Sequence, residues 1–97
     1  MAPTNKSSGL LSADAVLHSG VTSILAGVQI ITNGSADATL VITDDSAGTS
    51  GDKLFKAVVT GTNDSATFAL PDGGVRADKG LSCDVTGTGA NYIVWFR

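Results

Sequence analysis

The sequence predicts an all-β chain, a small antiparallel β-sandwich or jelly roll of seven to eight strands. Three observations predict it. Short apolar runs are separated by turn formers every ~8–12 residues, the spacing of sandwich strands. Glycine, serine and threonine make up about a third of the chain, and all nine acids are aspartate, so the turn formers Asp, Gly and Ser are abundant while the helix former glutamate is absent. The clearest periodicity is two: Ala38, Leu40 and Ile42 alternate with Thr39, Val41 and Thr43.

The elements follow in order. Residues 1–12 read as an N-terminal arm, because Pro3, Asn5, Lys6, Ser7 and Ser8 offer no apolar anchor, and residues 13–97 read as one domain. Leu10, Ala13 and Leu17 have helical spacing, but Val16 and His18 suit a strand; an extended segment from Asp14 or Ala15 is expected, broken by Gly20. Val21 to Thr32 is apolar and interrupted by Gly27, which marks either a bulge or a turn between two strands. Asn33-Gly34-Ser35 is a turn signal ahead of the Ala38–Thr43 strand. Asp44 to Asp52 is a loop by composition. Lys53 to Thr60 returns to strand, with Leu54, Phe55, Val58 and Val59 leaving its inward face open. A turn at Gly61 to Asp64 leads to a strand carrying Ala66, Phe68 and Leu70, and Pro71 to Gly74 turns again. Val75 to Gly80 reads as a connection. Leu81, Cys83 and Val85 then alternate with Ser82, Asp84 and Thr86, and after Gly87-Thr88-Gly89 the chain closes on Tyr92 to Phe96.

Composition limits the function classes. The 97 residues carry a net charge of −3 and only 15% charged side chains, with a pI near 4.6. An acidic chain with scattered lysines and arginines lacks the basic footprint of a nucleic-acid or anionic-membrane binder, so neither partner is expected. No apolar run reaches the ~18 residues of a membrane span, and the first eight residues lack the pattern of a signal peptide, which points to synthesis in a reducing cytoplasm. One cysteine, Cys83, forbids an internal disulfide, so burial, hydrogen bonds or association must hold the fold.

Residues that could carry chemistry are few. His18 is the only histidine; Asp14, four positions earlier, would orient it only on a helix, and a partly buried side chain is the plainer reading. Cys83 lies on an alternating strand with Leu81 and Val85 and is expected in the core, far in sequence from the histidine a nucleophilic pair would need. Asp44, Asp45 and Asp52 flank a Gly- and Ser-rich loop, where they either cap turns or gather around a cation, although the spacing matches no calcium loop. Gly87-Thr88-Gly89 precedes a strand and so has no helix N-terminus for phosphate. No catalytic, cofactor or metal residue is therefore assigned, and the chain is expected not to be an enzyme.

The last strand differs from the others. Tyr92, Val94 and Phe96 face one way, and Ile93, Trp95 and Arg97 the other. Both faces are apolar, so a second cover beyond the core is expected: a loop, a neighbouring subunit or a docking partner. Leu10, Leu11, Ile93, Trp95 and Phe96 are the candidate interface residues. Trp95 also suits a glycan-stacking platform.

Four stretches carry a resemblance: Val16 to Val21, Ala38 to Asp44, Ser46 to Phe55 and Lys79 to Ala90. Together they resemble small β-rich virion proteins of tailed bacteriophages, the capsid decoration or cement proteins and related minor structural proteins, over roughly residues 16 to 96. The resemblance implies a non-enzymatic protein on the capsid surface, bound to the major capsid protein, as a homo-oligomer with a trimer favoured, and stabilising the assembled head shell. Similar patterns occur in phage tails and fibres, which makes a tail-fibre or receptor-binding module for host glycans the alternative. The resemblance brings no catalytic residues and no cofactor.

Overall fold

A computed structural model describes residues 5–19, 22–46, 51–62, 65–70 and 74–97. Its strands are β1 (Lys6–Ser7), β2 (Ala15–Ser19), β3 (Ser23–Ile31), β4 (Ala38–Asp44), β5 (Asp52–Val59), β6 (Ser65–Ala69), β7 (Val75–Ala77), β8 (Gly80–Thr86) and β9 (Asn91–Phe96). The sequence-based readings of Gly20, of the Asn63-Asp64 and Pro71-Asp72-Gly73 turns, of the middle of the Asp44–Asp52 loop and of residues 1–4 lie outside the described residues.

All pairings are antiparallel and form two sheets, β1-β9-β3-β6 with β7 also on β3, and β2-β8-β4-β5. The partners are nested about the β4–β5 hairpin: β3 pairs β6 and β7, β2 pairs β8, and β1 pairs β9. One long hairpin wrapped into two sheets in this way is a jelly roll, so the sandwich takes the jelly-roll form. β6 and β7 lie end to end along β3, on Gly27–Ile31 and Ser23–Leu25, and together act as one interrupted strand.

Among the described residues there are nine strands, or eight with β6 and β7 taken as one interrupted strand, in keeping with the expected seven to eight. Two short strands arise where none was expected: β1 inside the expected arm, and β7 inside the segment read as a connection. Neither shows a usable period of two, and each is recruited by an already formed neighbour, β9 or β3. At Gly27 the bulge holds rather than the turn. β3 runs unbroken, but its register on β9 shifts between Leu25 and Gly27, so inward positions change from Ser23 and Leu25 to Val28 and Ile30.

The core lies between the sheets. Leu25, Val28, Ile30, Tyr92 and Val94 face Leu40, Ile42, Leu81 and Cys83, all buried. Each such side chain contributes roughly 1.5–3 kcal/mol by burial. At the β5–β6 edge Phe55 meets Phe68 edge-on, with ring centroids 5.4 Å apart, and helps close that side. The opposite side is crossed by the chain between β1 and β2. There the Tyr92 hydroxyl donates to the Ala13 carbonyl at 2.7 Å, and Asp14 Oδ1 accepts from the Val85 amide at 2.9 Å.

Turn chemistry fixes the ends of the strands. Asn33 Oδ1 accepts from the Ser35 and Ala36 amides at 2.9 and 2.8 Å, an Asx turn that delivers the chain to β4. Asp37 Oδ1 accepts from the Gly61 amide at 2.7 Å and ties this turn to the one after β5.

Candidate interaction surface

The two outward faces of the sandwich differ in chemistry. On the β2-β8-β4-β5 sheet, Val41 stands opposite Lys56 and Asp84, while Thr43 and Ser82, on the same side, are buried beside the exposed Lys53. Its exposed valines, Val16 and Val58, sit apart on the two outer strands. This is an ordinary mixed surface.

The outer face of the other sheet carries larger, half-buried apolar side chains on β3 and β9, next to exposed polar positions Ser65 and Thr67 on β6. After the β3 bulge, Gly27, Gln29 and Ile31 stand beside Trp95, Ile93 and Asn91 of β9. Trp95 lies against Gly27: a β-carbon at position 27 would be 3.7 Å from Trp95 Cε3 and 3.2 Å from the Phe68 carbonyl oxygen. Gly27 is thus buried on the outward side of the sheet by the indole itself, as an aromatic covers a glycine gap in a strand. Ile24 extends the row, between Arg76 on β7 and the backbone of Arg97, which exchanges hydrogen bonds with Ile24 at 2.7 and 2.9 Å. The arginines therefore stand at one end of the face. Arg76 pairs with Asp78 at 2.7 Å, both largely exposed, a bridge of little energetic weight.

The candidate interface residues separate. Ile93 and Trp95 are half-buried on this outer face. Leu10 is 62% exposed, at the edge beside β9. Leu11 packs against the core, and its backbone bridges Tyr92. Phe96 departs from the set: it is only 7% exposed and belongs to the core, because it shares the inward parity of Tyr92 and Val94.

Comparison with protein-family models, curated proteins and solved structures found no match to this chain.

The remaining candidates are accounted for by structure. Cys83 is buried, and burial pushes its thiol up to about 12, against a smaller opposite effect of the hydrogen bond with Tyr92. Burial likewise raises the Tyr92 phenol, helped by the neighbouring Cys83 and Asp14. His18 sits on β2 opposite Leu81; its side chain lies outside the described residues. In the aspartate loop, Asp44 Oδ1 accepts from the Lys79 amide at 2.7 Å, and Asp45 Oδ2 from the Gly51 amide at 3.1 Å. The Lys79 bond is the main reason the Asp44 carboxyl titrates below its ordinary value. These oxygens close turns, and no group of three or more metal-ligating side chains occurs among the described residues.

Ile24, Ile31 and Gly27 were not foreseen on this face. The signal was present at Gly27. A bulge there reverses the parity of β3, which sends Ile31 outward to the side of Trp95 while Leu25 stays inside.

Proposed function

We propose that this protein is a non-enzymatic structural component of a tailed-phage virion, a decoration protein that binds the assembled head shell through the outer face of its β1-β9-β3-β6 sheet. The apolar row of Trp95, Ile93 and Ile31 on that face, beside a mixed and charged opposite face, carries the reading. It joins the resemblance of residues 16 to 96 to such proteins and the jelly-roll topology, a form common among capsid and lectin domains. The partner in this reading is the major capsid protein. A cyclic homotrimer at a local three-fold site lets three copies of the face bind together, multiplying a weak single contact. Binding the assembled shell better than its dispersed subunits stabilises the shell by mass action.

The half-buried, outward Trp95 also favours a second reading, a tail-fibre or receptor-binding module that stacks a sugar ring on the indole. The experiment that separates them is binding of wild-type and Trp95→Ala protein to purified shells and to a glycan panel. Shell binding lost in the variant, with no glycan signal, supports decoration. Glycan binding without shell binding supports the second reading.

A further inference from the structure

We infer that the outer face of the β1-β9-β3-β6 sheet docks on an acidic protein surface, one that sets carboxylates against Arg76 and Arg97 and an apolar side chain against Trp95. The inference rests on the reading of this face as the docking face and adds the chemistry of the partner.

The residues gathered there point to it. The chain has two arginines and one tryptophan, and the fold brings all three to this face. Arg76 pairs with Ile24 across β7 and β3, and the Arg97 backbone is bonded to Ile24 from the other side. Ile24 lies between the buried Ser23 and Leu25, so its row faces outward. That row runs Arg97, Ile24, Arg76, two interstrand spacings or about 10 Å from end to end. Trp95 is one pleat from Arg97 along the chain, about 7 Å away. Tryptophan and arginine dominate the energetics of protein interfaces, whereas lysine is depleted there. Lys53 and Lys56 lie on the opposite sheet, and Lys79 in the turn between β7 and β8.

Charge is segregated in the same sense. The chain is net −3, with nine aspartates, yet the strands of this sheet contain none. The other sheet carries Asp44, Asp52 and Asp84 on its strands. Asp78, just past β7, reaches the arginine row and accepts from Arg76 Nε at 2.7 Å, with both side chains largely exposed. An exposed pair of this kind is worth little, and a guanidinium has five donors in a fork that matches carboxylates, so a partner's carboxylate can share it. Arg97 Nη1 donates to Asn5 Oδ1 at 2.7 Å. That neutral acceptor positions the group without cancelling its charge.

The shape of the face selects among anionic partners. It is the side of a sheet, whereas small-molecule sites are concave. Two arginines and Lys6 at the edge are too few cations to follow a phosphate backbone. A folded partner with carboxylates beside an apolar side chain matches both the arginine row and the indole.

The probes are two soluble copolymers, glutamate with leucine and lysine with leucine. Trp95, the only tryptophan, reports contact by its emission. A net charge of −3 favours the lysine copolymer by bulk attraction, so a preference for the glutamate copolymer isolates the face. The inference predicts a saturable shift of Trp95 emission with the glutamate copolymer at low salt, lost as salt rises. Arg76→Gln and Arg97→Gln each weaken it about threefold, and Lys53→Gln on the opposite sheet leaves it unchanged. No response to the glutamate copolymer, a stronger one to the lysine copolymer, or an equal effect of Lys53→Gln would overturn the inference. Purified shells separate it from the docking reading. Shell binding lost in Trp95→Ala but kept in both arginine variants overturns the acidic partner and leaves the docking reading in place. A response to the glutamate copolymer without shell binding supports an acidic protein partner and overturns the capsid as that partner. Arginine-dependent binding of acidic sugars with no copolymer response overturns it in favour of a glycan, and self-association abolished by Trp95→Ala overturns it in favour of a second copy.

Discussion

Replacing Tyr92 by phenylalanine removes one oxygen from the largest fully buried side chain and leaves the ring in place. No cavity opens, so the cost is that of polar contacts alone. The lost hydroxyl donates to the Ala13 carbonyl at 2.7 Å and ties the N-terminal crossing to the sandwich. One hydrogen bond is worth about 1 kcal/mol net, and a carbonyl left dry costs up to about 3 kcal/mol. Ala13 is exposed, so water reaches its carbonyl in the variant and the lower figure applies there; the hydroxyl's second bond, to the Cys83 thiol, is a weak one and adds little. For a chain of 97 residues, that lowers Tm by ~4–8 °C. A thermal melt followed by circular dichroism reads the shift at neutral pH. A second reading comes from alkaline pH. The folded protein holds the Tyr92 proton above its ordinary 10.0, chiefly through burial. That stabilisation is complete below pH 10 and is lost as pH rises further, because the unfolded chain ionises first. Phenylalanine has no such loss, so the gap between wild type and variant narrows above pH 10. An unchanged Tm together with equal alkaline slopes would refute the placement of this hydroxyl.

Other consequences can be checked with the same protein. Cys83 should resist thiol reagents in the native state and react on unfolding, since it is buried with its thiol raised to about 12; prompt labelling of the native protein would contradict the core placement. Two aspartates should act in opposite senses. Partial burial first, and then the charge of Asp14, raise Asp84, so its ionised form opposes folding and Asp84→Asn should raise Tm at pH 7. Asp44 is lowered by the Lys79 amide, so its contribution is present above its ordinary 3.8 and fades as pH falls below it. Asp44→Asn should therefore lower Tm at pH 7 and lose less on acidification than wild type. Gly87 has φ +131, and an added β-carbon would lie 2.3 Å from the Asp37 carbonyl oxygen; Gly87→Ala should cost about 3 kcal/mol in urea unfolding. Gly9→Ala, at φ +75 in open space, should cost only about 1 kcal/mol.

Much of the fold is readable in the residues, because burial imposes a period of two wherever a strand is long enough to show it. Ala38 to Thr43 and Leu81 to Thr86 are such strands, and the inward set of β9, Tyr92 and Val94, follows from the same rule. Three things were hidden. β1 and β7 are two and three residues long and carry no pattern of their own; a neighbouring strand supplies their structure. The turn at Asn33 is legible, but not the tie from Asp37 to Gly61, because such a bond joins residues distant in sequence. The same holds for Asp14, read only as a partner for His18 and found bound to the Val85 amide. The outward face was half legible: Ile93 and Trp95 come from simple alternation, whereas Ile31 joins them only once the bulge at Gly27 has reversed the parity of β3. Phe96 shows the cost of departing from alternation, since its parity already placed it in the core.

The most direct measurement of the proposed role is the heat resistance of phage particles assembled with and without this protein, alongside particles carrying the Trp95→Ala variant. Decoration through the outer face predicts that particles lacking the protein release their contents at a lower temperature. Particles offered the variant should behave like those lacking it, while the isolated variant remains folded. Equal heat resistance in all three preparations would contradict a shell-stabilising role for this jelly roll.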